Sequence, residues 1–356
     1  MTSIIAYIRS FFTSNDKHTL LFSVPKDRPL PAIPAGITER RFFQTPSGPL
    51  ELHVALPSER TSKPPLLFVH GGFGSAECYQ NFLPFFAAQG YSCYAVSLRG
   101  HGHSFNPGYW ALYFTPRQAF LTDLAAAVRY VREDTGGAAN PIVLGHSSGG
   151  GLTQDLCHQG LAGQIPGVVL LAAIPGSGRY APAFFCGHTY TDSNSSLGVN
   201  TNWLQLDRWF FPRFCWHWFH SRSPLSSTAL VHRAFFSSGC SLDVVKRTEK
   251  SMSEFESMSW PMLMQWQFVD PVKVIKGISG EGLKGGRKML VVAADEDKLM
   301  GVKIEADLAA WYREANPDSG EEAIKEAVVR NAGHHFLLDT TWREGAGKVL
   351  DWLEGK

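Results

Sequence analysis

Apolar positions follow two different periods along this chain. Arg41-Phe42-Phe43-Gln44 and Leu50-Glu51-Leu52-His53-Val54 are strand-like runs separated by Pro46-Ser47-Gly48, which predicts a hairpin. Leu66 to Val69, Cys93 to Val96, Pro141 to Leu144, Gly167 to Leu171 and Lys288 to Val292 are short, almost unbroken apolar runs. Such runs suit strands buried on both faces. Helical spacing fills the gaps between them. It covers Glu77 to Ala88, closed by Gly90, and Phe120 to Arg132 through Leu121, Leu124, Val128 and Val131. It also covers a segment opening at Gly150 and running through Leu152, Leu156 and Leu161. A helix at Lys303 to Tyr312, a strand at Glu326 to Arg330 and a helix at Trp342 to Leu353 complete the series. This rhythm predicts an α/β fold whose mostly parallel central sheet has helices on both faces.

The rhythm stops near Pro175 and resumes at Lys288, too long a gap for a simple loop. The expected division is a lead segment at 1–38, a core at 39–175 and 286–356, and an insertion at 176–285. The insertion holds Trp203, Trp209, Trp216, Trp218, Trp260 and Trp266, together with Phe184, Phe185, Phe210, Phe211, Phe214 and Phe219. It reads as a mainly helical cap over the sheet edge. Most of its aromatics are expected to form the cap's own core, and some to line a cleft beneath it. Tyr109 to Phe114 is a further aromatic loop that leaves the same edge.

Composition changes this picture little. The 356 residues are 44% hydrophobic and 18% charged, enough for a sizeable core without metals or disulfides. A formal charge of +1 with no basic stripe argues against nucleic acid as a partner. Cys78, Cys93, Cys157, Cys186, Cys215 and Cys240 form no C-x-x-C pair and no zinc-ligand spacing, so a reduced, cytoplasmic setting is expected. Ile4-Ile5-Ala6-Tyr7-Ile8 and Phe11-Phe12, with Arg9 between, are too short to span a bilayer and make a poor secretory signal. They suit a packed or frayed end, or an amphipathic turn that touches a membrane weakly. The sequon Asn194-Ser195-Ser196 carries little meaning without a signal peptide. The oligomeric state is not written in the sequence.

The chemistry is concentrated in Gly145-His146-Ser147-Ser148-Gly149, a G-x-S-x-G stretch between a predicted strand and a predicted helix. Strand, tight turn and helix are the context of a nucleophile elbow. Flanking glycines let the backbone turn sharply enough to expose the serine hydroxyl at the sheet edge. The following helix start offers free N–H groups to a developing oxyanion. Three carboxylates, Asp295, Glu296 and Asp297, follow the strand after the insertion, and Gly333-His334-His335 follows the last strand. The order serine, acid, histidine is that of a hydrolase triad.

At these motifs the chain resembles the α/β-hydrolase fold family. Val69-His70-Gly71-Gly72-Phe73-Gly74 is similar to the HGG-type turn after the family's third strand. The resemblance implies an oxyanion hole made by the N–H of Gly72 or Phe73 and that of Ser148. Leu98-Arg99-Gly100-His101-Gly102-His103-Ser104 resembles a structural loop after the fourth strand, with Ser97 where many members have Asp. The family pattern places the acid at Asp297, ahead of Asp295 and Glu296, and the base at His334, with His335 in a supporting or surface position.

The resemblance thus implies a Ser147–His334–Asp297 serine hydrolase that forms an acyl-enzyme and requires no metal or organic cofactor. Its expected substrate is a small hydrophobic ester, lactone, thioester or amide. One alternative is the same triad used for acyl transfer, C–C bond hydrolysis, or a lyase or cyclisation step. A further one is a non-catalytic binding protein on the same fold.

Overall fold

The structure, a computed structural model, describes residues 18–24, 29–59, 61–137, 140–178, 199–264 and 266–356. The amphipathic lead before His18, the sequon at Asn194, and Phe184, Phe185 and Cys186 therefore lie outside the described residues.

One eight-stranded sheet organises the chain. Its strands are β1 (Glu39–Thr45), β2 (Gly48–Ala55), β3 (Leu66–Val69), β4 (Cys93–Val96), β5 (Ile142–His146), β6 (Val168–Leu171), β7 (Met289–Ala294) and β8 (Ile324–Val329). Their spatial order is β1-β2-β4-β3-β5-β6-β7-β8. β1 and β2 form the expected antiparallel hairpin, and β2 meets β4 antiparallel, with Leu52 opposite Val96. From β4 onward every pairing is parallel, with Val69 opposite Gly145 and Leu171 opposite Val292. Every residue of β3, β4, β5, β6 and β7 is buried. That burial explains why these strands read as unbroken apolar runs, because helices cover both faces.

The helix Phe82–Ala88 packs against the helix Trp342–Glu354. The helix Ser148–Gln159 packs against both Arg117–Asp134 and Pro271–Lys276, and the latter also meets Val302–Ala315. The segment predicted as one helix from Glu77 divides into a 3₁₀ turn, Ala76–Tyr79, and the helix Phe82–Ala88. Pro84 explains the break. It has no N–H to continue a helix from Gln80, so the helix restarts with Pro84 in its first turn, where that N–H has no partner anyway. The helix expected from Gly150 to beyond Leu161 runs instead from Ser148 to Gln159 and stops at Gly160, whose φ of 62° suits a left-handed cap.

Among the described residues, the chain between β6 and β7 contains helices and turns and adds no strand to the sheet. Its longest helices are Val199–Leu206, Thr228–Phe235 and Leu242–Ser251. Trp260 is fully buried there, stacked 4.7 Å from Phe120. Trp216, Trp218 and Trp266 are exposed, neither in a core nor in a closed cleft. No helix among the described residues is long and apolar enough to cross a membrane. The five described cysteines are free thiols, four of them buried.

Candidate active site

The loops that follow β3, β4, β5, β7 and β8 all leave the carboxyl edge of the parallel strands, where open α/β sheets place their ligands. Ser147 stands between β5 and its helix with φ 53° and ψ −124°, a left-handed conformation strained for a serine. Such strain costs about 1–3 kcal/mol and persists only where the surroundings fix it. Here the Ser147 N–H donates to Leu171 O at 3.0 Å, and its carbonyl accepts from the N–H groups of Gly150 and Ile174, both at 3.0 Å. Two glycines make room for the elbow. A Cβ on Gly149 would lie 2.3 Å from His70 O, and one on Gly71 would lie 2.6 Å from Ser147 Cβ.

The expected base, His334, and the expected acid, Asp297, meet across the sheet edge. His334 Nδ1 donates to Asp297 Oδ2 at 2.8 Å, and both side chains are buried. Asp297 Oδ1 is held by the N–H groups of Leu299 at 2.7 Å and Met300 at 2.9 Å. The two rival acids point elsewhere. Asp295 Oδ1 accepts from Ala332 N, and Glu296 Oε2 accepts from Ser238 N. His146, the residue before the serine, links elbow and base: its Nε2 donates to His334 O at 2.9 Å, and the two rings lie 4.9 Å apart. Burial holds the His146 ring well below the usual histidine range, helped by the neighbouring His334 and His335, so it stays neutral. Among the described residues, no hydrogen bond joins Ser147 Oγ to His334; free enzymes often close that bond only around substrate.

His335 is buried rather than on the surface. Its N–H donates to Phe235 O at 2.7 Å and its ring stacks on Phe236. Burial pushes its imidazole down to about 4. Asp339 fastens the same loop to the segment between β6 and β7, accepting from Gly333 N, Ser237 N and Ser237 Oγ.

The loop after β3 is gripped by a residue that the sequence did not reveal. Glu256, from the segment between β6 and β7, is buried, and its carboxylate accepts four hydrogen bonds. Oε2 takes the Phe73 N–H at 2.7 Å and His101 Nε2 at 2.8 Å. Oε1 takes the Ser257 N–H at 2.7 Å and Trp260 Nε1 at 3.0 Å. On the other side of the same residue, Phe73 O accepts from Ser253 N at 2.9 Å. Phe73 is thereby held at a φ of 61°. Its N–H is committed to Glu256, so of the three expected oxyanion donors only those of Gly72 and Ser148 remain available. Burial alone would lower His101, but the Glu256 charge and hydrogen bond outweigh it and raise the ring above its usual range. The second nitrogen, Nδ1, donates to Arg99 O at 2.8 Å, as an imidazolium can.

The loop after β4 explains Ser97. Ser97 Oγ donates to Glu51 Oε2 at 2.8 Å and accepts from Ala76 N at 3.0 Å. Glu51 on β2 therefore supplies the carboxylate that an Asp at 97 would bring. It also accepts from His103 N at 2.9 Å and pairs with Arg40 Nε at 2.9 Å. Burial opposes its ionisation, yet hydrogen bonds from His53, His103 and Ser97 hold it at about 2. Arg99 anchors the loop to Asp123 through its guanidinium, at 2.8 and 2.6 Å, and its backbone N–H, at 3.1 Å.

Near Asp297 lies one more carboxyl group. Glu305 is buried, and neither of its oxygens has a hydrogen-bond partner. Burial, reinforced by the Asp297 charge, pushes it well above the usual carboxylate range. Among the described residues no cluster of three or more histidine, cysteine or acidic side chains could hold a metal ion.

Comparison with known proteins agrees with this architecture. Residues 66–345 match the model of the alpha/beta hydrolase family. A non-heme chloroperoxidase from Streptomyces lividans is 32% identical over 111 residues, a stretch covering 31% of this chain and 37% of that protein. A highly thermostable carboxyl esterase from Bacillus coagulans superposes with a TM-score of 0.62 at 15% identity, over 89% of this chain and 98% of that one. A bromoperoxidase from Bacillus anthracis does so with a TM-score of 0.58 at 16% identity, over 89% and 100% of the two chains.

Proposed function

The chain belongs to the alpha/beta hydrolase family, and we propose that it is a serine esterase working through Ser147, His334 and Asp297. The observation that carries this reading is the buried 2.8 Å bond from His334 Nδ1 to Asp297, fixed beside the strained Ser147 elbow through His146. With Nδ1 committed to Asp297, His334 Nε2 is left as the basic nitrogen. It takes the Ser147 proton as Oγ attacks the ester carbonyl, and Asp297 stabilises the imidazolium that forms. The oxyanion is received by the N–H groups of Gly72 and Ser148. His334 then protonates the departing alcohol, and an activated water releases the acid from acyl-Ser147.

The segment between β6 and β7 serves as the cap. It holds both the oxyanion loop, through Ser253 and Glu256, and the histidine loop, through Phe235 and Ser237. A hydrophobic acyl or aryl group, rather than an acetate ester or a charged peptide, is the proposed substrate, because small-molecule pockets are lined mainly by apolar side chains. The test is labelling with a fluorophosphonate followed by a p-nitrophenyl ester series. The expected result is a single adduct on Ser147, absent in Ser147→Ala. That variant should lose about 10⁴ to 10⁶ in kcat. Folded wild-type protein that takes up no label, or a substituted chain that keeps its turnover, would sink the reading. A preference for acetyl over longer chains would remove the hydrophobic pocket alone.

A further inference from the structure

We propose that the aromatic face formed by the helix Tyr109–Tyr113 and residues 210–219 docks on a lipid surface. Trp110, Phe114, Phe211, Trp216, Trp218 and Phe219 are each between 52% and 80% exposed. Single exposed apolar residues are ordinary, whereas a contiguous group marks a contact surface. One hydrogen bond joins the two stretches, and ring contacts order the aromatics within each. Tyr113 Oη donates to Phe219 O at 3.1 Å, Trp110 stacks on Phe114, and Phe219 meets Phe214 edge-on at 5.3 Å. Trp218 and Phe219 sit at φ values of 53° and 60°, where bulky residues are strained, and both are exposed.

Charge selects the occupant. From 208 to 242 the chain carries Arg208, Arg213, Arg222 and Arg233 and no Asp or Glu. Arg213 and Arg222 turn inward to Asp207 and Glu254, while Arg208 and Arg233 remain exposed. Exposed tryptophan and phenylalanine with exposed arginine in the same stretch of chain match the boundary between acyl chains and phosphate headgroups. A second copy of the same face would set arginine against arginine with no carboxylate from this stretch to answer it.

The start of the described chain lies on the rim of this face. His18 N donates to Ser226 O, His220 Nε2 donates to Leu21 O, and the Phe22 ring lies 4.7 Å from Tyr109. The sequence before it is apolar, with Arg9 and no acid ahead of Asp16. The face also touches the stretch that grips Phe73: Met258 N donates to Tyr113 O at 3.0 Å, and Phe255 meets Tyr109 at 5.1 Å. Delivery of a lipid-dissolved ester to Ser147 rests on the esterase reading; the docking does not.

The test is flotation of the full chain with vesicles of phosphatidylcholine, alone or mixed with phosphatidylglycerol. Trp218→Ser/Phe219→Ser and Trp110→Ser/Phe114→Ser provide the comparison. The wild type should float with the mixed vesicles, and each pair of substitutions should lower partitioning about tenfold or more. Turnover of a soluble short-chain ester should stay unchanged, and turnover of an ester dissolved in the vesicles should fall in step with binding. No flotation with either vesicle, or substituted chains that float as well as the wild type, overturns the proposal. A dimer that the substitutions dissolve, without flotation, assigns the face to a second copy and also overturns it. Flotation without turnover of any ester leaves the docking standing and removes the esterase reading.

Discussion

Replacing Glu256 by glutamine separates the clamp on the oxyanion loop from the chemistry of the triad. The carboxylate has four donors, two on each oxygen. An amide offers one oxygen and one NH₂. If the oxygen stays with Ser257 N and Trp260 Nε1, the NH₂ faces Phe73 N–H and His101 Nε2. His101 can answer by giving up its Nε2 proton and accepting, since Nδ1 still donates to Arg99 O. Phe73 N–H has no such option and is left facing another donor. The opposite amide orientation strands two donors instead, so the first is favoured. An orphaned, partly buried N–H costs about 1–3 kcal/mol, which a loop shift at Phe73 relieves. Because Gly72 precedes Phe73 directly, that shift moves the oxyanion donor, and a displacement of about 1 Å at such a site costs on the order of 10²-fold. The expected result is a kcat lowered by about one to two orders of magnitude with KM nearly unchanged. A trifluoromethyl ketone, whose adduct carries an oxyanion, should weaken by the same factor. A correctly folded Glu256→Gln protein with wild-type kcat and inhibitor affinity would refute the clamp.

Two other substitutions probe the acid and its neighbour. Asp297→Asn should cost on the order of 10⁴ in kcat, because the amide neither stabilises the imidazolium nor fixes the Nδ1–H tautomer. Asp295→Asn, which touches Ala332 rather than the histidine, should retain most activity; kinetics that reverse this ranking would move the acid. Glu305→Gln should make the stability profile flatter toward alkaline pH. Folded Glu305 titrates above its ordinary 4.5, so its contribution is complete below pH 4.5 and is lost as pH rises toward the folded value. Wild type should therefore fall behind the glutamine variant by up to about 1.4 kcal/mol per pH unit through that window. Parallel melting curves from pH 4 to pH 8 would contradict a buried Glu305 that titrates above its ordinary range.

The legible parts of this fold and site are those written in consecutive residues. Strand runs such as Leu66–Val69 and Met289–Ala294 are apolar throughout because both faces are covered, and β1 and β2 announce themselves through Pro46-Ser47-Gly48. Gly145 to Gly149 reads as an elbow because the glycines, the strained serine and the helix start are adjacent. The structure brings His334 to Asp297, one of the three carboxylates that the serine–acid–histidine order left open. Helix boundaries are less visible: Pro84 decides where a helix restarts, and the apolar spacing alone does not register it.

What the sequence hides is contact across distance. Nothing local to Ser97 announces that Glu51 supplies the missing carboxylate, because the two residues meet only when β2 pairs with β4. Nor does Phe-Glu-Ser near residue 256 resemble an oxyanion-loop clamp, since its partner Phe73 lies 183 positions away. Periodicity has the same blindness for the aromatics of the insertion. Trp260 and Trp218 look alike in the sequence, yet one is buried against Phe120 and the other is 80% exposed. The difference arises where residue 218 adopts a left-handed turn just after the helix Phe210–Trp216. An aromatic count is therefore silent on whether the rings build a core or present a surface. Backbone conformation decides that, and with it whether the segment between β6 and β7 buries its aromatics or presents them outward.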